Sequence, residues 1–363
     1  MNIRNHRCGL HRTLKAIQNG TLTIGFVGGS ITDGRVPYNW PEPVAAWFVR
    51  QFPGLRLQVE NAAIGATGSE LAVFRARRDL IDRGCDLVFI EYAVNDSGEP
   101  PVRRRRTREG LIRKLMAGQG RDLALVHTFG QNMYEEMMQD RMPDTVRDLE
   151  ELAEHYGIGS VWMGLHALNE VRAGQMRWEE WLPDGVHPQY RGSLAYAESV
   201  NRFLEHELVS SPGEMPLPAG PQLPRPLDPE NWEHAHALPL SEVELSGPWT
   251  TRRHLSMIWM DRLLDTAAVG ARLAFEFEGT ALTLGFDFGR TSSEFKYRLD
   301  GGDWTPVVRE RPDWCGDSGW YRLTSIADNL PRHRHRVEIE VTHGNAPNCT
   351  GTNFRLGLIG VVP

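Results

Sequence analysis

Apolar positions recur along this chain with two different periods, and the change between them divides it into two parts. Up to about residue 209, short continuous apolar runs alternate with segments whose apolar residues follow helical spacing, which predicts strands alternating with helices. The predicted strands are 22–27, 55–60, 86–92, 123–127 and 158–163, and the predicted helices are 10–19, 41–52, 69–81, 107–117, 143–156 and 192–207. Such alternation predicts a parallel, three-layered α/β sheet with flavodoxin-like strand order.

Beyond about residue 240 the apolar positions alternate with a period of two instead. The alternating segments are 273–279, 282–288, 295–302, 337–341 and 354–359. Short strands at regular spacing predict an all-β sandwich of jelly-roll type, and Asp300-Gly301-Gly302 is a hairpin signal. Between the two parts, seven of the twenty residues 210–229 are proline, which cannot continue a helix or a central strand. We therefore predict an α/β domain over 1–209, a proline-rich linker over 210–239 and a sandwich over 240–363.

Composition narrows the class of protein. With 363 residues, 40% hydrophobic and 24% charged, the chain is long enough to bury two cores. A net charge of −7 argues against a nucleic-acid partner. The chain shows neither an apolar run long enough for a bilayer nor a secretion signal, and its four cysteines are scattered. These features predict a cytoplasmic protein without a membrane partner and leave homo-oligomerisation open.

The first predicted strand ends in a turn with candidate chemistry. It runs into Gly28-Gly29-Ser30, and open α/β sheets bind ligands at the carboxyl ends of their strands. The glycines allow a sharp turn and a close approach of the backbone to a substrate. Taken alone, the motif is equally compatible with an ordinary turn capped by a serine.

Three further blocks change that balance. They are 61–68 (Asn-Ala-Ala-Ile-Gly-Ala-Thr-Gly), 91–96 (Glu-Tyr-Ala-Val-Asn-Asp) and 184–188 (Asp-Gly-Val-His-Pro). With the serine turn, these blocks in this order resemble the SGNH (GDSL-type) hydrolases over residues 10–208. The combination is far more specific than any block alone. The resemblance implies the flavodoxin-like fold and an esterase or acylhydrolase activity.

The chemistry of a serine esterase fits three of these residues. Ser30 is the candidate nucleophile, and a serine hydroxyl needs an adjacent base to take its proton. His187 is the candidate base, because imidazole titrates near neutral pH and can return the proton to the leaving group. Asp184, three residues earlier, can reach the other ring nitrogen and hold the tautomer.

An acyl transfer also requires donors for the developing oxyanion. The backbone N–H of Ser30 and the side-chain amide of Asn95 are two candidates. The resemblance implies a third, a backbone N–H in the second block, where Ala66 is the matching position and Gly65 the alternative. An alanine can serve there if its φ is negative. Two motifs depart from the family: Gly-Asp-Ser becomes Gly-Gly-Ser at 28–30, and Gly-x-Asn-Asp becomes Ala-Val-Asn-Asp at 93–96.

Other residues carry weaker signals. Trp40 and Trp181 flank the blocks and are candidates for a sugar-stacking wall, with packing as the alternative. An arginine run at 103–106 with Arg108 is either a solvated face or an attractor for an anionic substrate. His127, His155 and His166 lack ligand spacing, so we predict no metal and no cofactor. In the sandwich, sugar contact and packing are equally open for Trp304, Trp314 and Trp320, which lie among Asp303, Asp313 and Asp317.

These observations predict a serine esterase that hydrolyses short acyl esters, acetyl above all, on a small molecule or oligosaccharide. The carbohydrate part rests on the resemblance to modular carbohydrate esterases that join an SGNH domain to a jelly roll. The alternatives are a lysophospholipase or thioesterase, which needs an apolar acyl channel, and a catalytically silent sugar-binding protein. Labelling by an organophosphonate separates the enzymes from the silent protein.

Overall fold

A computed structural model of the protein describes residues 1–213, 223–254, 257, 259–315 and 319–363. Contacts along the chain divide it into two units, Met1–Glu233 and His234–Pro363. The boundary falls inside the stretch that the sequence assigns to a linker. Residues 214–222 of that stretch lie outside the described residues.

The first unit is an α/β domain in which strands and helices alternate. Its strands are β1 (Arg4–Asn5), β2 (Thr21–Val27), β3 (Arg56–Asn61), β4 (Leu87–Ile90), β5 (Asp122–Val126) and β6 (Gly159–Val161). Its helices are α1 (His11–Gln18), α2 (Pro41–Gln51), α3 (Ser69–Ala76), α4 (Pro101–Met116), α5 (Tyr134–Met138), α6 (Asp144–Tyr156), α7 (Met163–Arg172), α8 (Trp178–Trp181) and α9 (Tyr190–Glu205). Helices α3 and α9 continue into π-helical turns, Arg77–Ile81 and His206–Ser210.

The sheet of this unit has the strand order β1-β6-β5-β4-β2-β3. The pairs from β3 to β6 are parallel, which gives the predicted flavodoxin-like order with β4 in the middle of the five parallel strands and β2 beside it. Strands β2 and β4 are buried almost throughout, as expected for a sheet covered on both faces. The two-residue edge strand β1 pairs antiparallel with β6 and was not predicted, because two residues carry no periodic signal.

Helix α4 begins six residues before the position that the apolar pattern predicts. Pro101 occupies its first turn, where the missing N–H of proline is not needed. Its first two turns are rich in arginine rather than apolar residues, so the hydrophobic periodicity does not reveal where the helix begins. Ion pairs with other elements compensate these charges, as described below.

Residues 223–233, which we call the strap, pack against α4. The carboxylate of Glu109 accepts hydrogen bonds from the backbone N–H groups of Leu227 (2.6 Å) and Asp228 (2.8 Å). The backbone of Trp232 covers Gly110, where a Cβ would come within 2.5 Å of it. The indole is buried and lies 5.7 Å from the Phe74 ring. This part of the predicted linker therefore completes the core of the first unit.

The second unit consists of antiparallel sheets. Its strands are β7 (His236–Ala237), β8 (Glu244–Ser246), β9 (Thr250–Arg252), β10 (Leu263–Thr266), β11 (Arg272–Gly279), β12 (Ala281–Phe288), β13 (Glu294–Leu299), β14 (Thr305–Val307), β15 (Trp320–Ala327), β16 (His333–Thr342), β17 (Gly344–Ala346), β18 (Cys349–Gly351) and β19 (Phe354–Val362). One sheet has the order β15-β12-β19-β10-β9 with β7 against β19, and the other the order β14-β13-β16-β11-β8. Strands β17 and β18 pair separately.

An apolar core joins side chains from both large sheets. Phe275 and Phe277 of β11 and Phe286 of β12 contribute the inward-facing aromatic residues that the alternation predicts. The predicted hairpin turn is present between β13 and β14, with positive φ at Asp300 (52°) and Gly301 (74°). Two consecutive residues with positive φ are the mark of a type I′ turn.

Several features of the chain bear on where a ligand could bind. Within the described residues, no helix is both long and apolar enough to cross a membrane. The four cysteines are free thiols. The centroid of the Trp304 ring lies 5.1 Å from Lys296 Nζ and 5.0 Å from the Arg298 guanidinium carbon. The Trp314 side chain is 62% exposed, and its ring lies 5.0 Å from the Trp320 ring. Asp317, which the sequence groups with these tryptophans, lies outside the described residues.

Candidate active site

The three amino-terminal blocks meet because they follow adjacent strands. Ser30 comes after β2, Asn61 ends β3, and Asn95 lies in the loop after β4. Since β3, β2 and β4 are parallel neighbours, their carboxyl ends share one edge of the sheet. The loop before α9 supplies Asp184 and His187 to the same edge.

The turn that carries Ser30 is fixed by its own backbone and by the second block. The N–H groups of Thr32 and Asp33 both donate to the Gly29 carbonyl at 3.1 Å, so a helical turn follows the serine. The Asn61 amide donates to the Thr32 carbonyl at 2.8 Å, and the Ile64 N–H donates to the Gly28 carbonyl at 3.0 Å. These bonds hold the serine turn against the loop after β3.

Ser30, His187 and Asp184 form a continuous chain of hydrogen bonds. The Ser30 Oγ lies 2.8 Å from His187 Nε2, and His187 Nδ1 lies 2.7 Å from Asp184 Oδ2. The second oxygen of Asp184 accepts the N–H groups of Val186 (2.9 Å) and His187 (2.7 Å). The side chains of Asp184 and His187 are about half exposed, so a substrate can approach these hydrogen-bonded residues from the solvent.

The carboxyl group of Asp184 is held in its ionised form. Partial burial acts to raise its pKa, but the hydrogen bonds from the His187 and Val186 backbone and the His187 ring outweigh this effect, and the pKa is lowered. A carboxylate in this position fixes the ring so that Nε2 faces the serine with a free lone pair. The geometry is therefore that of a nucleophile, a base and an orienting acid.

Asn95 lies directly over Gly29. A Cβ on residue 29 would come within 1.9 Å of Asn95 Oδ1 and 2.7 Å of Asn95 Nδ2. No real Cβ tolerates such distances, so the amide occupies space that only glycine leaves open. The departure from Gly-Asp-Ser at this position is thus coupled to where Asn95 sits. Among the described residues, none makes a hydrogen bond to the Asn95 side chain, which leaves its N–H₂ group available to a ligand.

The second block approaches Ser30 through Gly65. An ideal Cβ at Gly65 would lie 3.6 Å from the Ser30 Cβ. Ala66, the position favoured by the resemblance, is exposed and has φ of 58°. The negative φ that we required of an alanine donor is therefore not met.

A buried carboxyl group that sequence analysis did not single out lies beneath the serine turn. Glu91 is fully buried at the end of β4. It accepts hydrogen bonds from the Thr128 hydroxyl (2.6 Å), the Thr32 hydroxyl (3.2 Å) and the Gly29 N–H (3.4 Å). Burial raises its pKa, and these hydrogen bonds oppose the increase. The carboxyl group ties the turn to β4 and to the loop after β5.

Asp96, the last residue of the third block, has a structural role. One carboxylate oxygen accepts the Ser69 N–H at 2.9 Å, and the other pairs with the buried Arg108 at 2.8 Å. The N-cap residue of α3 is Gly68, which has no side chain to cap the helix. Asp96 takes the place of such a cap, because its carboxylate satisfies a free N–H group at the helix start.

The structure does not support a sugar-stacking wall made of Trp40 and Trp181. Both side chains are completely buried, and Trp40 donates from its indole to the Thr32 hydroxyl at 3.0 Å. Packing, the alternative we weighed, accounts for both. The exposed aromatic residues next to the candidate triad in sequence are Tyr38 (44% exposed) and Tyr190 (63% exposed), whose rings lie 5.9 Å apart. Sequence analysis missed them because neither belongs to a motif.

The arginine run is neither a solvated face nor an unpaired basic patch. Arg104 and Arg108 are buried in ion pairs with Asp148 and Asp96. The others pair with carboxylates as well: Arg103 with Glu70, Arg105 with Asp148 and Glu151, and Arg106 with Asp228. The run therefore fastens α4 to its surroundings and offers no free charge for an anionic substrate.

The three histidines that we set aside have partners within the fold. His127 lies 2.7 Å from Glu150, and His155 lies 2.7 Å from the Arg225 carbonyl. His166 lies 3.4 Å from Glu170, and with Glu198 they form a group able to hold a metal ion. A second such group is His6 with His206 and Glu207.

The fold is that of an α/β domain of the SGNH type followed by a β-rich domain. Residues 26–195, a little under half of the chain, match the model of the GDSL-like Lipase/Acylhydrolase family, a family of ester hydrolases.

Two of the solved structures that resemble this chain match it over 98% of its length. A two-domain esterase active on acetylated mannans, co-crystallised with mannopentaose, matches with a TM-score of 0.81 and 23% identity over 98% of this chain and 95% of that chain. A second crystal structure of a two-domain esterase active on acetylated mannans matches with the same TM-score of 0.81 and 23% identity over 98% of this chain and 96% of that chain. An acetylxylan esterase from Geobacillus stearothermophilus covers 53% of this chain and 97% of its own, with 22% identity and a TM-score of 0.43. No curated protein matches in sequence.

Proposed function

We propose that this protein is a serine esterase that removes acetyl and other short acyl groups from carbohydrate esters. The observation that carries the proposal is the hydrogen-bond chain from Ser30 through His187 to Asp184, at 2.8 and 2.7 Å. The match of residues 26–195 to the model of an acylhydrolase family supports the reaction class. The carbohydrate part rests on the shared two-domain fold with an esterase active on acetylated mannans.

In the proposed mechanism, Ser30 Oγ attacks the acyl carbonyl carbon while His187 Nε2 takes its proton. Asp184 stabilises the imidazolium that forms. The tetrahedral intermediate then collapses, the C–O bond to the sugar breaks, and His187 gives the proton to the departing sugar oxygen. Water, activated by the same imidazole, hydrolyses the acyl-enzyme, releases acetate and restores the serine.

The negative charge of each tetrahedral intermediate needs donors that are already in place. We assign two of them to the Ser30 N–H and the Asn95 amide, which lies over Gly29 without another described partner. The third is a backbone N–H of the loop after β3. We assign it to Gly65 rather than Ala66, because Gly65 approaches Ser30 and Ala66 has the left-handed φ of 58°.

Tyr38 and Tyr190 are candidates for contact with the sugar. Both rings are exposed, and they follow the nucleophile turn and the His187 loop in the chain. Aromatic faces present an apolar surface to the C–H groups of a sugar ring, while the hydroxyl groups can bond to its oxygens.

A panel of substrates tests the proposal. Initial rates are measured on p-nitrophenyl esters from acetate to laurate and on acetylated mannan and xylan oligosaccharides, with Ser30→Ala as the blank. We expect the fastest ester cleavage with acetate and release of acetate from at least one oligosaccharide. Faster cleavage of laurate than acetate would instead support the lysophospholipase alternative. Absence of cleavage of every ester by folded protein would support the silent sugar-binding alternative.

A further inference from the structure

The structure brings two histidines and a glutamate together far from the candidate active site. His6 follows the edge strand β1, and His206 and Glu207 begin the π-helical turn after α9. One ligand atom of each residue lies within 4.8 Å of the other two. The residues are 200 positions apart in sequence, so only the fold unites them.

The burial of the glutamate makes this cluster unusual. The side chain of Glu207 is 1% exposed, and those of His6 and His206 are 23% and 42% exposed. Glu207 Oε1 lies 2.6 Å from His6 Nδ1, but Glu207 Oε2 and His206 Nδ1 are buried and have no hydrogen-bond partner among the described residues. A buried carboxylate oxygen without a partner is costly. A cation bound at the cluster would remove that cost.

From this geometry we propose that His6, His206 and Glu207 bind a divalent transition-metal ion, with zinc as the best match. Two imidazole nitrogens and a carboxylate oxygen are donors that zinc accepts at about 2.0–2.2 Å. Such bonds in a tetrahedron place donor atoms about 3.4 Å apart. This spacing falls between the two measured separations from Glu207 Oε1, 2.6 Å to His6 and 3.9 Å to His206. A water molecule that enters beside the partly exposed His206 supplies the fourth ligand.

The surroundings fix the ligands in place. The Phe203 ring stacks on His6 with centroids 5.0 Å apart and an angle of 11° between the planes. The His6 and His206 rings are 4.0 Å apart. The π-helical turn places His206 and Glu207 at the same end of α9, and such turns occur often at functional sites. Metal binding would join the amino-terminal segment to the end of α9.

The other group with metal-compatible residues carries no such proposal. In His166, Glu170 and Glu198, both carboxylates already face arginines, with Arg191 3.8 Å from Glu170 and Arg202 2.5 Å from Glu198. Two cations next to the carboxylates oppose the binding of a third.

The proposed metal is structural and independent of the esterase reaction. Helix α9 starts three residues after His187 and is 16 residues long, or about 24 Å from end to end. The cluster lies at its far end. We therefore expect zinc to raise the melting temperature without changing hydrolysis of p-nitrophenyl acetate.

Zinc titration of the full-length, tag-free protein after treatment with a chelator tests the inference. Calorimetry and equilibrium dialysis should show one tight zinc per chain, and cobalt should give the visible bands of a four-coordinate site. His206→Ala and Glu207→Gln should each weaken binding at least about tenfold and abolish the thermal shift. Both variants should fold, because the His206 ring nitrogen has no described partner and glutamine can keep the contact to His6.

His343→Ala is the matched control, because His343 is an exposed histidine in the second unit that bonds to Asn345. It should bind zinc as the wild type does. Unchanged zinc affinity in both folded cluster variants, or no zinc binding by the wild type, would overturn the inference. Loss of esterase activity in the folded cluster variants alone would contradict the independence of the metal from the reaction, whereas absence of activity in the wild type would bear on the proposed function and not on the metal.

Discussion

Gly29→Ala is a substitution that adds one methyl group and should nevertheless disable the enzyme. The new Cβ would lie 1.9 Å from Asn95 Oδ1 and 2.4 Å from its Cγ, so the amide has to leave its position. The φ of Gly29 is not in the left-handed region, and the backbone itself therefore accepts alanine. The expected effect is the loss of one oxyanion donor.

The magnitude follows from what such a donor contributes. Removing one donor typically costs about 2.7–4 kcal/mol of transition-state stabilisation, or 10²–10³ in kcat. We expect Gly29→Ala to lower kcat for p-nitrophenyl acetate by this factor with little change in KM, because the contact forms mainly in the transition state. Asn95→Ala should have the same effect.

A double-mutant cycle tests whether the two residues act together. In Asn95→Ala the space beside residue 29 is free, so adding Gly29→Ala should lower kcat by no more than about twofold, the range of additive error. Gly98→Ala is the matched control, since a Cβ there meets nothing within 4 Å. It should leave kcat unchanged. Wild-type kcat in Gly29→Ala, or a double variant whose losses multiply, would refute the coupling.

Three further predictions address the strap, the substrate surface and the pH dependence of stability. A chain cut after Glu233 should hydrolyse p-nitrophenyl acetate and melt cooperatively. A chain cut after Pro212 lacks the buried indole of the strap, so its free energy of unfolding should be lower by at least about 3 kcal/mol. Equal melting temperatures of the two truncated chains would contradict this prediction. Tyr38→Ala and Tyr190→Ala should raise KM for an acetylated oligosaccharide but leave p-nitrophenyl acetate hydrolysis unchanged, and equal effects on both substrates would remove the sugar contact. Burial raises the pKa of Asp122 from 3.8 to about 6, so the folded state binds this proton more tightly than the unfolded state. The free energy of unfolding should therefore fall by about 2 kcal/mol between pH 4 and pH 6.5 from this group, and urea titrations of Asp122→Asn should lack that decrease.

The sequence was sufficient for the features that depend on local pattern. Buried apolar runs identified β2 and β4. Alternation identified β11, β12, β13, β16 and β19 of the second unit but missed the eight-residue strand β15. The four blocks brought Ser30, Asn95, Asp184 and His187 to attention because their order along the chain resembles a known family.

The features that escaped prediction depend on tertiary contacts. The start of α4 consists largely of arginines and therefore shows no apolar periodicity. The helix forms there because carboxylates from distant segments pair with these arginines. The strap contains prolines and reads as a linker, yet Trp232 is buried against Gly110. Exposure decides which aromatic residues can meet a substrate, and the burial of Trp40 could not be inferred from its position beside the serine turn.

The measurement that tests the central claim most directly is covalent labelling of the intact protein by an organophosphonate, followed by mass spectrometry of the peptides. Such reagents react with a serine that a neighbouring base has activated. Our account predicts one phosphonyl group per chain, attached to Ser30, with loss of p-nitrophenyl acetate hydrolysis in proportion to labelling. Ser30→Ala should remain unlabelled and folded, and His187→Ala should react far more slowly. Labelling at another serine, or full esterase activity in the Ser30→Ala protein, would contradict the account.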